Sequence, residues 1–158
     1  MDDAGAAVPR GREAIIGIGN VDRGDDAIGR VVARRLRARQ LPSVDVFEDD
    51  GDAANLLSFF ESAETVYVVD AAVSGAEPGI IRRFDVTTAP LPQTISMLST
   101  HGVGLAAAVE LARVLKRLPR RCIVYTVEAK ECTMGASLTP AVEAAVAEVI
   151  ARLCAEIA

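Results

Sequence analysis

The chain has no tryptophan, and aromatic residues make up only 4% of its 158 residues. Stacking platforms for single-stranded nucleic acid are built from such rings, so that class of function is disfavoured. Positive charge is not in excess either: a formal net charge of −5 argues against a general phosphate-binding surface. The three cysteines, Cys122, Cys132 and Cys154, are odd in number, widely spaced and without a Cys-x-x-Cys pair. This argues against a disulfide framework or a structural zinc site and predicts a reducing compartment. No apolar run approaches the roughly 20 residues of a membrane span, and residues 1–12 are polar and alanine-rich without a signal-type apolar core. The expectation is a cytoplasmic protein with no membrane or nucleic-acid partner.

What the chain does have is aliphatic residues. Hydrophobic types reach 51%, carried by Val, Ile, Leu and Ala, enough for one domain with its own core. Short apolar runs alternate with helical spacing. Strands are predicted over 14–18, 44–47, 65–69, 79–84 and 122–127. The third of them is read as ending at Asp70. Helices are predicted over 25–40, with Ile28, Val31, Val32 and Leu36 on one face, and over 53–60. A third runs over 105–118, capped by Ser99 or Thr100 and stopped by Pro119. The last starts at Thr139 as N-cap with Pro140 in first position and runs to about residue 157. Acidic residues 49–52, small residues 71–79, the proline-bearing stretch 85–100 and the polar stretch 128–137 read as loops. Buried strands alternating with helices predict an α/β fold: a three-layer, twisted, mostly parallel sheet with helices on both faces. A flexible tail over 1–12 and a single domain over 13–158 complete the layout. Arginine clusters at Arg34, Arg35, Arg37 and Arg39, and basic residues at Lys116, Arg117, Arg120 and Arg121, fall at predicted helix C-terminal ends, where cations complement the dipole.

The stretch from Ile15 to Gly29 organises the rest. An apolar run feeds Gly17-Ile-Gly19-Asn20, and Asp25 and Asp26 follow where a helix opens. A dinucleotide fingerprint needs a third glycine where Asp22 stands, and a P-loop needs a Gly-Lys-Ser/Thr that is missing after Gly24. Asp25 reads as a cap of the helix that follows. In a parallel sheet, Asp26 after the first strand, Asp70 at the third and His101 before the third helix all fall on one edge. Two carboxylates and an imidazole suit a divalent transition metal with open positions for water or substrate. Each also has a plain structural alternative, as a helix-start acid, a strand-end acid or a loop hydrogen-bonding histidine. Cys132, in the polar loop, reads as a stray thiol rather than a substrate contact, because nothing near it in sequence lowers its pKa.

With these blocks in view the chain resembles the hydrogenase maturation proteases, which trim the nickel–iron hydrogenase large subunit. The resemblance rests on Gly17-Ile-Gly19-Asn20 followed by Asp25-Asp26-Ala-Ile-Gly29, and on Val68-Val69-Asp70-Ala71. It continues through Thr100-His101-Gly-Val-Gly104-Leu105, Glu128 and Leu138-Thr139-Pro140. It implies an endopeptidase that removes a C-terminal extension from a nickel-loaded large-subunit precursor. Nickel would be supplied by the substrate, and Asp26, Asp70 and His101 would contact it as metal-binding and catalytic residues. No nucleophilic Ser or Cys is then required, in keeping with the absence of Gly-x-Ser-x-Gly. Two departures stand out: Asp22 stands where the family often has an apolar residue, and Asp50-Gly51-Asp52-Ala53 stands where many members carry Asp-Gly-Gly-Thr. Asp26 in place of Glu is within the family's range, with a reach shorter by one methylene. The altered acidic loop motivates an alternative, a chaperone-like module that binds the metal-loaded precursor without cutting it.

Overall fold

The structure is a computed structural model and describes residues 12–92, 96–97 and 104–157. Among the described residues six strands form one sheet: β1 (Glu13–Ile18), β2 (Val44–Asp49), β3 (Thr65–Val73), β4 (Ile81–Asp85), β5 (Ser96–Met97) and β6 (Arg121–Glu128). Their order is β2-β1-β3-β6-β4, with β5 paired to the end of β3. The four central partners run parallel, whereas β4 closes one edge antiparallel to β6. The helices are α1 (Ile28–Ala38), α2 (Ala53–Glu61), α3 (Leu105–Val114) and α4 (Pro140–Ile157).

Alternation along the strands sorts the core into two layers. Ile15, Tyr67, Ile123 and Tyr125 face Val32 and Leu36 of α1 and Val146 and Val149 of α4. Ile16, Val66, Val68 and Val124 face Leu56 and Phe60 of α2 and Leu105 and Val109 of α3. Strands covered on both faces are apolar throughout, which is why these segments carry no polar alternation. The three-layer α/β arrangement expected from the sequence is therefore the observed one. On α1 the apolar stripe turns inward and the arginines outward. Arg34 and Arg37 each reach Glu48 at 2.8 Å, and Arg35 reaches Glu143 at 2.7 Å. The second basic cluster does not sit in a last helical turn, since α3 ends before it and Arg121 opens β6.

Two glycines set how closely α1 approaches the sheet. A Cβ on Gly17 would stand 2.1 Å from the Gly29 carbonyl oxygen, and one on Gly29 would stand 2.3 Å from the carbonyl oxygens of both Ile18 and Val69. Helix and strands thus touch backbone to backbone, which only glycine permits.

Several boundaries differ from expectation; the short strand β5, for one, falls within the stretch 85–100 read as a loop. Residues 24–27 form a 3-10 turn ahead of α1 rather than its first helical turn. Helix α3 ends at Val114, well before Pro119. Lys116 takes φ 56°, its N–H donates to Arg113 O (3.2 Å), and the Arg117 N–H donates to Ala112 O (2.8 Å). This is a Schellman stop, complete before the proline is reached. The N-cap of α3 is Gly104, without a side-chain cap bond, and Ser99 and Thr100 lie outside the described residues. Strand β3 also does not end at Asp70. Its pairing with β1 stops at Val69, but β6 continues alongside with Ala71 opposite Val127 and Ala72 opposite Glu128. Asp70 is therefore the first residue of β3 beyond its β1 neighbour.

Candidate active site at the carboxyl edge of the sheet

After Ile18 the chain turns back over the ends of β1 and β3. The Gly19 N–H donates to Asp49 O at 3.1 Å, and Arg30 Nε donates to Gly19 O at 2.8 Å. A Cβ on Gly19 would lie 1.9 Å from the Asp26 carbonyl oxygen, so this turn is packed directly against Asp26.

Asp26 is only 4% exposed. Its Oδ2 accepts from the Asn20 N–H at 3.2 Å, but its Oδ1 is buried and has no hydrogen-bond partner among the described residues. Buried polar atoms are nearly always paired, and an unpaired one costs about 1–3 kcal/mol. Asp70, 2% exposed, accepts at Oδ1 from the Ala71 N–H at 2.8 Å. Burial pushes the Asp70 carboxyl well above the usual carboxylate range. The Asp26 charge pushes it further up, with the Ala71 amide opposing. Burial likewise raises Asp26, against the Asn20 amide and the Arg23 and Arg30 charges. Two acids that resist joint ionisation, one with an oxygen unpaired among the described residues, match what a divalent cation relieves. Oxygen donors of this kind fit a metal brought to this edge.

The third predicted ligand, His101, lies outside the described residues. Among the described residues no group of three His, Cys, Asp or Glu side chains is arranged to hold a metal ion. The structure thus brings Asp26 and Asp70 to one place and leaves His101 to be tested.

Asp25 behaves differently from its reading as a helix cap. Fully buried, it accepts at Oδ2 from the N–H groups of Lys130 (2.8 Å) and Glu131 (3.0 Å) and at Oδ1 from the Thr139 N–H (2.7 Å). The Thr139 hydroxyl also donates to it, at 2.8 Å to Oδ2. Burial would raise its pKa, but the Glu131, Thr139 and Lys130 amides and the Thr139 hydroxyl bring it below the ordinary value. No local cap is left for Asp25 to make, because its carboxylate is spent on a loop more than a hundred residues away.

Two further buried acids shape the edge. Glu128, 2% exposed, accepts from the Ser74 N–H and Oγ at 2.8 Å each and from the Gly75 N–H at 3.1 Å, holding the turn after β3. Asp49, read as part of an acidic loop, is the last residue of β2. It accepts from the Gly51 N–H at 2.8 Å and from Asn55 Nδ2 at 3.0 Å. An aspartate two residues before a glycine is an Asx-turn signal, and that spacing was available in the sequence. Asp52 caps α2 through the N–H groups of Ala54 (2.9 Å) and Asn55 (3.2 Å). Cys132 is half-buried; burial raises its thiol pKa, and the Asp26 and Asp25 charges raise it further, in line with an unactivated thiol. Exposed apolar side chains border the same edge: Val21 after β1, Val73 at the end of β3 and Met134 in the loop after β6.

Comparison with known proteins agrees with this architecture. Residues 30–156 match the family model described as hydrogenase maturation protease. The hydrogenase expression/formation protein HupD of Rhodobacter capsulatus is 30% identical over 149 residues, covering 90% of this chain and 71% of that protein. Among solved structures, the [NiFe] hydrogenase maturation protease HybD from Thermococcus kodakarensis superposes with a TM-score of 0.74 at 23% identity, over 93% of this chain and 99% of that one. The hydrogenase maturating endopeptidase HybD from E. coli gives 0.73 at 24%, over 92% and 91%. At those identities the two structures speak for the fold, and the family match and the HupD relative speak for kinship. The chain belongs to the hydrogenase maturation protease family.

Proposed function

We propose that this protein is an endopeptidase that removes a C-terminal extension from a nickel-loaded nickel–iron hydrogenase large-subunit precursor. Asp26, Asp70 and His101 are assigned to the nickel, which arrives with the substrate. The observation that carries the reading is the buried Asp26–Asp70 pair, with Asp26 Oδ1 lacking a partner among the described residues. Such an oxygen is expensive in the free protein and becomes useful when a cation reaches it. Nickel at this edge supplies Lewis acidity to a peptide carbonyl. The chain's own part is to hold the two carboxylates in place, exclude water from them and release the proton that burial favours on Asp70 as the metal approaches. Exposed Val21, Val73 and Met134 around the acids suit a protein partner better than a small hydrophilic ligand. Three free thiols fit the cytoplasm, where such a precursor would be met.

The test is processing of nickel-loaded precursor by Asp26→Asn, Asp70→Asn and His101→Ala, with each variant's melting curve as a folding control. All three should melt cooperatively and leave the precursor at full length. Wild-type processing by both Asp70→Asn and His101→Ala would overturn the ligand assignment. A stable wild-type complex with precursor that is never shortened would favour the non-catalytic binding module motivated by the Asp50-Gly51-Asp52-Ala53 loop.

A further inference from the structure

We infer that Asp25 is a positioning residue for Asp26, acting by clamping the β6–α4 loop to the turn that carries the nickel-facing carboxylate. The inference rests on the proposed role of Asp26 and asks what fixes that side chain in place.

The clamp has two parts. The first is the Asp25 carboxylate, whose oxygens take the N–H groups of Lys130, Glu131 and Thr139 and the Thr139 hydroxyl, at distances from 2.7 to 3.1 Å. The second is a backbone seam between the same segments. The Gly24 N–H donates to Ala136 O (3.1 Å), the Asp25 N–H to Glu131 O (2.8 Å), and the Gly135 N–H to Asp22 O (2.6 Å). The fit is close enough that a Cβ on Gly24 would lie 2.5 Å from Glu131 O. Asp26 is held from its other side by the Gly19 turn and, through Arg30, by α1. Adjacent acids in one 3-10 turn thus have opposite allotments. Asp25 spends its hydrogen-bonding capacity on structure, while Asp26 keeps one oxygen unpaired among the described residues.

A 3-10 turn has poorer intrinsic hydrogen-bond geometry than an α-helix and occurs only in short pieces, so contacts from elsewhere in the chain fix its orientation. Here the support comes from the loop that leads into α4, so the orientation of Asp26 is tied to a segment far away in sequence. Groups that orient a metal-contacting side chain typically matter by about 10- to 100-fold in metal affinity or activity. Losing the clamp should therefore weaken the nickel-dependent part of substrate binding without abolishing the fold.

The experiment measures affinity for nickel-loaded and nickel-free precursor separately, for wild type, Asp25→Asn, Thr139→Val and Thr139→Ser. The ratio of the two affinities isolates what nickel contributes. A merely structural role would move both affinities together or neither. Asp25→Asn should lower the ratio by about tenfold or more. Thr139→Val removes one donor and leaves three backbone donors, so it should lower the ratio less, and Thr139→Ser, which restores the hydroxyl, should recover it. If Asp25→Asn does not fold, the valine–serine pair decides alone. An unchanged ratio in the folded variants, or no recovery by serine, would overturn the inference. A wild-type ratio of one would overturn the nickel reading itself, and the inference with it; Asp26→Asn in the same assay tells the two failures apart, because it lowers the ratio only if the nickel reading holds.

Discussion

Gly29→Ala should destabilise this protein even though it exchanges a helix-breaking residue for the best helix former. The propensity gain inside α1 is about 1 kcal/mol. Against it, the new Cβ would sit 2.3 Å from the Ile18 and Val69 carbonyl oxygens and 2.7 Å from the Ile18 nitrogen. Carbon–oxygen contacts of this kind settle near about 3.3 Å, so α1 must withdraw by roughly 1 Å. The obstructing atoms are backbone of two paired central strands and cannot swing aside. Overpacking of this kind costs typically 1–3 kcal/mol, and rigid neighbours put this case at or above the upper end. The net loss is therefore about 2 kcal/mol, or a fall in Tm of roughly 4–8 °C for a domain of this size. Because Asp26 lies three residues before Gly29, the same shift displaces the candidate ligand, and a 1 Å misplacement can cost about 100-fold in turnover. Gly75→Ala is the control. Gly75 has φ +83° with nothing among the described residues within 4 Å of the added carbon, so backbone strain of about 1 kcal/mol is what opposes it. Urea unfolding of the three proteins measures the difference. A Gly29→Ala protein as stable as wild type would refute the close-packing argument.

Three further outcomes are expected. Asp70→Asn should flatten the stability–pH profile: Asp70's folded pKa is raised, so its contribution is full below about pH 4 and lost as pH rises through the folded value. Melting curves from pH 4 to 8 should show wild type declining more steeply than the variant, and parallel curves would contradict the burial argument. Glu156→Gln should act in the opposite sense. Glu156 bridges Arg83 (2.5 Å) and Arg121 (3.0 Å), accepts from the Tyr125 hydroxyl, and has its pKa lowered by these partners against burial. Its stabilisation is present above about pH 4.5 and lost as pH falls through the folded value, so acid unfolding of the variant should lose part of its steepness. With the arginines 39% and 44% exposed, the effect should be modest, and a change above about 1 kcal/mol would be unexpected. Leu36→Ala, at a fully buried position of α1, should cost about 2–5 kcal/mol in urea titration, and a loss under 1 kcal/mol would mean that the α1–α4 layer collapses to fill the gap.

Much of the architecture was legible because the signals were local. Apolar runs such as Ile15–Ile18 and the 3.6-residue spacing of Ile28, Val32 and Leu36 report burial directly. The edge on which Asp26 and Asp70 meet followed from the parallel order alone. What stayed hidden depends on partners distant in sequence. Asp25 looked like a cap because caps are made by nearby acids, whereas its actual partners are Lys130, Glu131 and Thr139. Strand β3 outran Asp70 because β6 outlasts β1 as its neighbour, which no property of residues 71–73 announces. Helix α3 stopped early through a left-handed Lys116, a residue type that carries no stop signal, while the visible Pro119 came too late to matter. The glycine motif is recognisable as a turn, but its function as a contact surface between α1, β1 and β3 depends on backbone that comes close only in the folded chain.

On the proposed function, nickel carried by the precursor licenses its cleavage. The most direct measurement is the intact mass of a cognate large-subunit precursor after incubation with this protein, nickel-loaded in one sample and nickel-free in the other. Loss of a C-terminal peptide is expected in the nickel-loaded sample alone. Equal shortening in both samples would contradict the nickel gate, and no shortening of a confirmed nickel-loaded cognate precursor would contradict the endopeptidase assignment.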